Sequence, residues 1–142
     1  MTILAIDYGA KKIGLAKSDS DESMALPLDI IPHISKQDVL ERLNKICQEN
    51  NIKKIVVGVP VSMSNGKKDF IREIDLENKQ MKEVLGFIDW LKDGINLPVE
   101  MEDERLSTKL AGGLMKGEMK GQDDDAVAAM LILQNYLDKQ RL

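Results

Sequence analysis

A single cysteine and a single histidine stand among 142 residues, and their scarcity removes several chemistries at once. With only Cys47, neither an intrachain disulfide framework nor a cysteine-rich zinc site can form. Leu43 and Ile46 flank it in a helical pattern, which marks it as a small buried apolar residue rather than a nucleophile. With only His33, catalysis cannot divide acid and base between two histidines, and its Pro-flanked segment holds no nucleophile motif for a Ser-His-Asp arrangement. Long apolar runs are also missing: none approaches the roughly 20 residues that span a bilayer, and the first residues lack the basic and apolar regions of a signal peptide. The expectation is a cytoplasmic chain with no membrane partner. Positive charge is in deficit too, with 20 Lys and Arg against 24 Asp and Glu for a net charge of -4. That balance speaks against a protein built only to coat nucleic acid, although local lysine pairs such as Lys11 and Lys12 can act against an acidic remainder. Any enzyme here must work mainly through carboxylates, and carboxylates select hard metal ions.

What is present fits one compact domain over residues 1–142, 43% hydrophobic and 31% charged, enough for a real core. The organising stretch is TILAIDYGAKKIGLAKS, Thr2 to Ser18. Ile3 to Ile6 read as a strand buried on both faces, and Asp7 interrupts it with a carboxylate that requires a partner or a metal. Gly9 supplies a turn, and Ile13 and Leu15 lie two apart on a returning strand that contains Gly14. An aspartate in such a hairpin has three uses. It binds metal in ribonuclease H-like domains, it wraps phosphate in actin- and hexokinase-like domains, or it caps its own turn. The second requires a duplicated pair of domains, for which 142 residues are too few.

Ala25 to Ile34 follows as a third strand, placed at the sheet edge by Pro27 and Pro32. Ser35 is an N-cap for a helix from Lys36 to Asn50, with Val39, Leu40, Leu43, Ile46 and Cys47 on one face. Ile52 to Val59 is a buried strand, and a right-handed crossover sets it beside the first. Pro60 ends it, and the loop VSMSNGKK leaves the carboxyl end of a parallel strand, where α/β sheets bind ligands. A long helix runs from Asp69 to about Asp93 and stops at Gly94 and Pro98. Val99 to Asp103 is the last strand, a short helix follows Ser107 or Thr108, and a glycine-rich connection covers Ala111 to Gly121. A final helix spans Asp123 to Lys139, with Val127, Met130, Leu131, Gln134 and Leu137 behind its acidic first turn. The fold class this order predicts is α/β and ribonuclease H-like. Three antiparallel strands and then parallel crossovers form a mixed five-stranded sheet with helices on both faces.

Three acidic sites fall at comparable places: Asp7, the pair Asp103 and Glu104, and Asp125. If the first and last strands lie close and the last helix crosses them, these carboxylates converge, and a divalent cation is the usual means of keeping them ionised together. A pair of Mg²⁺ or Mn²⁺ ions about 3.5–4 Å apart suits phosphodiester hydrolysis by water. Asp123 and Asp124 are left to complement the helix dipole. Strand alternation puts Asp103 with Val99 and Met101, and Glu104 with Glu100 and Glu102, which by itself favours Asp103.

The segments AIDYGAKKIGLAKSD, IVVGVPVSMSNG, VEMEDERLST and DDDAVAAMLILQNYLD, in this order over nearly the whole chain, resemble the signature regions of the YqgF/RuvX family. Its members are described as pre-16S ribosomal RNA nucleases and as Holliday junction resolvase-like. The resemblance implies a ribonuclease H-like fold, divalent-metal-dependent cleavage and maturation of the 5′ end of small-subunit ribosomal RNA. By position it implies Asp7, Glu104 and Asp125 as catalytic metal ligands for Mg²⁺ or Mn²⁺, with Asp103 in reserve. Arg105 is suited to bidentate phosphate binding, and Lys11, Lys12, Ser62 and Asn65 are placed to flank a nucleic-acid strand. Expected partners are pre-rRNA within the small-subunit precursor, or branched DNA, for a monomer or homodimer. Two alternatives stay open: a junction-resolving DNA endonuclease, and a catalytically weak ribosome-assembly factor that binds RNA.

Overall fold

The structure, a computed structural model, describes residues 1–9, 11–59, 79–103 and 124–140, with backbone only for Asp124 and Asp125. Five strands and three helices lie in these segments: β1 (Thr2–Asp7), β2 (Lys12–Ser18), β3 (Ala25–Pro32), α1 (Lys36–Glu49), β4 (Ile52–Val59), α2 (Lys79–Gly94), β5 (Val99–Asp103) and α3 (Asp124–Gln140). The strands form one sheet in the order β3-β2-β1-β4-β5. β1 pairs antiparallel with β2 and parallel with β4. β2 pairs antiparallel with β3, and β4 parallel with β5.

The most continuously apolar strands take the middle. Ile3, Leu4, Ala5 and Ile6 of β1 and Ile55, Val56 and Val57 of β4 are fully buried, because a central strand covered on both faces has no side that tolerates polar residues. β3, with Pro27 and Pro32, takes one edge as its prolines require. β5 takes the other edge, so the first and last strands are not neighbours: β4 lies between them.

The two faces are packed differently. On one, Leu4, Ile6, Ile13, Leu15, Ile31, Ile55 and Val57 meet α1 through Val39, Leu43 and Cys47, and α2 through Met81, Val84, Phe87, Ile88 and Leu91. On the other, Ile3, Ala5, Ala16, Ala25 and Val56 meet Ala129, Ile132, Leu133, Tyr136 and Leu137 of α3. The alanines keep that face low, which lets one helix lie close against three strands. α1 is capped as its sequence predicts: Ser35 Oγ accepts from the Asp38 N–H at 3.1 Å. Asn51 after it adopts φ 54°, a left-handed conformation that asparagine tolerates better than most residues. α1 and α2 touch where Leu40 lies over Gly94. Among the described residues, no helix is long and apolar enough to cross a membrane.

Candidate active site at the carboxyl edge of the sheet

β1, β4 and β5 run parallel, so Asp7, Val59 and Asp103 end at one edge of the sheet. β3, antiparallel to β2, ends there as well, at Pro32 opposite Lys12. Ile3 and Ala5 belong to the α3 face and Leu4 and Ile6 to the other, so alternation turns Asp7 toward α3. Its neighbours on both sides are glycines: Gly14 is its partner in β2, and Gly58 follows Val57, the partner of Ile6, in β4. The positions directly opposite the half-buried Asp7 on the two adjacent strands are therefore both glycine. Glycine at such a position admits a close-approaching group.

The same face continues onto β5. Val56 is in register with Glu100 and Gly58 with Glu102, and both glutamates engage α3. Glu102, only 5% exposed, is bonded to Lys139 and receives the Asn135 amide at 3.3 Å. Tyr136 donates its hydroxyl hydrogen to Glu100 at 2.7 Å and accepts from Lys54 at 3.0 Å. A direct Lys54–Glu100 ion pair of 2.9 Å closes this triad. The Tyr136 hydroxyl and then the Lys54 ammonium hold Glu100 below the usual carboxylate range. The hydrogen bonds to Tyr136 and Glu100 raise Lys54 above its ordinary value. Sequence reasoning passed over Glu102; its signal was the placement of Asn135 and Lys139 four apart on one helix face.

The predicted site residues divide by where they fall. Asp7 lies on the α3 face. Asp103, in register with Val59, shares its parity with Val99 and Met101 and so belongs to the opposite face. Asp125 lies in the first turn of α3, the helix that covers Asp7's face. Glu104, Arg105, Ser62 and Asn65 lie outside the described residues. Lys11 and Lys12 are exposed at the β1–β2 turn, and Lys12 shares the parity of Gly14 and hence the face of Asp7.

That turn is held tightly. A Cβ at Gly9 would come 2.5 Å from the Lys12 carbonyl oxygen, so only glycine fits. The Lys11 carbonyl accepts from the His33 backbone N–H at 2.9 Å, and Tyr8 packs between His33 and Phe87. Burial raises the Tyr8 hydroxyl, and Glu83 adds to the effect. Cys47 is the buried apolar residue its setting predicts, its thiol pushed up to about 11 by desolvation.

Among the described residues, no three carboxylate, imidazole or thiol groups converge to hold an ion. The donor chemistry at this edge is carboxylate oxygen beside glycine-lined space, which fits a hard divalent cation of the Mg²⁺ or Mn²⁺ type.

Comparison with known proteins agrees with this architecture. The family model RuvX, described as Holliday junction resolvase, matches residues 1–139. A "Putative pre-16S rRNA nuclease" of Rickettsia peacockii (strain Rustic) is 36% identical over 141 residues, covering 96% of this chain and 85% of that protein. Its counterpart in Rickettsia akari (strain Hartford) is 37% identical over 144 residues, covering 98% and 87%. Among solved structures, T. thermophilus RuvC in complex with Holliday junction substrate superposes with a TM-score of 0.60 at 14% identity, covering 99% of this chain and 96% of that one. The yeast mitochondrial Holliday junction resolvase Ydc2 gives 0.51 at 14% identity, covering 98% and 78%. At such identities these structures speak for the ribonuclease H-like fold alone. The family match over nearly the whole length carries more: the chain belongs to the RuvX (YqgF) family of resolvase-like nucleases, which are hydrolases.

Proposed function

We propose that this protein is a divalent-metal-dependent nuclease that hydrolyses phosphodiester bonds in structured RNA and processes the 5′ end of pre-16S ribosomal RNA as a cytoplasmic enzyme. The substrate follows the name carried by relatives 36–37% identical over almost the full chain. The observation that carries the chemistry is Asp7, a carboxylate at the end of a central strand, set between Gly14 and Gly58 on the face covered by α3.

In this reading Asp7, Glu104 and Asp125 hold the metal. Asp7 and Asp125 are supported by the face and the helix to which they belong. Glu104 follows from the family resemblance and is preferred to Asp103 because Asp103 belongs to the strand face opposite Asp7. β1 and β5 stand two strand spacings apart, roughly 10 Å, a gap that favours the longer glutamate arm. When bound, Mg²⁺ or Mn²⁺ would supply Lewis-acid stabilisation of the phosphate and a more acidic attacking water. The carboxylates orient the reacting groups, the glycines beside Asp7 leave room for a phosphate, and Lys11, Lys12 and Arg105 offset substrate charge, with Ser62 and Asn65 flanking the strand.

The test is cleavage of a labelled 16S precursor 5′-end RNA by wild type and Asp7→Asn in Mn²⁺, Mg²⁺ and EDTA. Cleavage by the wild type that disappears in EDTA and in the folded variant is the expected result. Absence of cleavage in every metal, with equal RNA binding by both proteins, would overturn it and leave an assembly factor. The family description as Holliday junction resolvase favours a second reading, a DNA endonuclease on branched substrates. Competition between the RNA and a four-way junction, with oligomer mass measured alongside, separates the two, because symmetrical resolution requires a dimer.

A further inference from the structure

His33 follows β3 and stands against the turn that carries Asp7. Its backbone N–H donates to the Lys11 carbonyl at 2.9 Å, and its Nδ1 lies 3.1 Å from the Gly9 carbonyl oxygen. A carbonyl oxygen only accepts, so this second bond requires the proton on Nδ1. The imidazole meets Tyr8 edge-on at a centroid separation of 5.0 Å, and Tyr8 lies 4.5 Å from the Phe87 ring of α2. One residue thereby engages Tyr8, Gly9 and Lys11, nearly the whole connection between β1 and β2.

The histidine is itself fixed on both sides. Pro32 before it pairs with Lys12 in the sheet, and Ser35 after it caps α1. The turn has little freedom to adapt, since Gly9 already sits against the Lys12 carbonyl. Asp7 closes β1 immediately before Tyr8, so any movement of the turn reaches the end of the strand that carries its carboxylate. Short exposed turns at a sheet edge open easily when nothing anchors them.

We propose that His33 is a positioning residue, one that touches no reacting atom but locks the turn and so fixes Asp7, Lys11 and Lys12 relative to one another. The proposal rests on the nuclease reading of this edge. Ordering a site before substrate arrives removes a cost from the chemical step, and a displacement near 1 Å can lower a rate by about 100-fold.

The experiment compares wild type with His33→Ala, His33→Asn and His33→Asp. Asn puts an N–H donor where Nδ1 stood, whereas Asp has almost the same shape and offers only an acceptor to the Gly9 carbonyl. Each protein is assayed by hydrogen exchange across residues 7–12 and by kcat and KM on the precursor RNA in Mn²⁺. The expected result is faster exchange in the turn for Ala and Asp, unchanged exchange in Ile3 to Ile6, and kcat lowered about 10- to 100-fold with KM nearly constant. Asn should restore both readouts. The proposal is overturned if Asn behaves as Asp does, if exchange in the turn stays at the wild-type level in Ala, or if the loss falls on KM alone. Should His33→Ala not fold, the Asn and Asp pair decides. Should the wild type cleave nothing, the nuclease reading fails by itself and the exchange series still tells whether His33 clamps the turn.

Discussion

Replacing glycine by alanine should have opposite consequences at two positions of this chain, and the comparison tests the geometry of the Asp7 turn directly. At Gly86, on the exposed side of α2, an added methyl group would meet nothing within 4 Å. Only the backbone matters there: alanine narrows the unfolded ensemble and favours helix, so Gly86→Ala should stabilise by about 0.5–1 kcal/mol and raise Tm by about 1–4 °C. At Gly9 the methyl carbon would come 2.5 Å from the Lys12 carbonyl oxygen, a backbone atom fixed by strand pairing with Pro32. That atom cannot rotate away, so the turn must deform, with a cost of about 1–3 kcal/mol and a Tm lowered by about 3–10 °C. Urea and thermal unfolding of the two variants beside wild type give both signs in one series. Gly9→Ala at wild-type stability, or Gly86→Ala less stable than wild type, would refute the reasoning.

Three further outcomes follow from particular contacts. Tyr136→Phe removes the first cause of both the lowered Glu100 and the raised Lys54. Because Glu100 is lowered, its contribution is present above its unfolded pKa and lost as pH falls through the folded one. Because Lys54 is raised, its contribution is present below its unfolded pKa and lost as pH rises through the folded one. The variant should therefore lose stability most between these limits, by a small amount since Glu100 is 47% exposed and solvent screens the pair; urea unfolding from acid to alkaline pH checks this. Lys139→Met strands Glu102, 6% exposed at its side chain, without its cation and should cost about 1–3 kcal/mol in the same assay. Cys47, buried with its thiol pushed up to about 11, should react with a thiol reagent at neutral pH only as fast as the protein unfolds.

Much of the architecture is legible in the sequence because burial on both faces leaves a plain mark. The unbroken runs Ile3 to Ile6 and Ile55 to Val57 identify the two central strands, and Pro27 and Pro32 send β3 to the edge. Ser35 announces the start of α1. β5 is harder to read. In VEMED the apolar residues suggest that Val99 and Met101 face inward, yet Met101 is 40% exposed and Glu102 only 5%. The reason lies in the helix opposite: α3 brings Asn135, Tyr136 and Lys139 to that strand, so Glu102 is buried on its α3 side while only Val99 packs on the apolar core of the other. Local periodicity reports hydrophobicity, and a buried ion pair with a distant helix inverts the inference.

The setting of Asp7 depends on a feature still less visible in a linear reading. Thr2 pairs with Ile52, but Ile3 pairs with Lys54, so Lys53 is passed over where β1 and β4 meet. Without that irregularity Ile6 would stand beside Val56 and Asp7 beside Val57, a branched side chain where the structure has glycine. Because side chains alternate with a period of two, the same slip would also exchange the faces of β4 relative to β1. Val56 would then leave the small α3 face, where it now packs with Ala5, and the larger Ile55 would take its place beside Ala5. The single skipped residue therefore does two things at once. It matches small with small against α3, and it brings Gly58 level with Asp7. Bulges that re-aim side chains are common beside active sites, and this one lies at the far end of the strand from the carboxylate whose surroundings it sets. Its effect is carried by register, which belongs to a pair of strands and to neither alone.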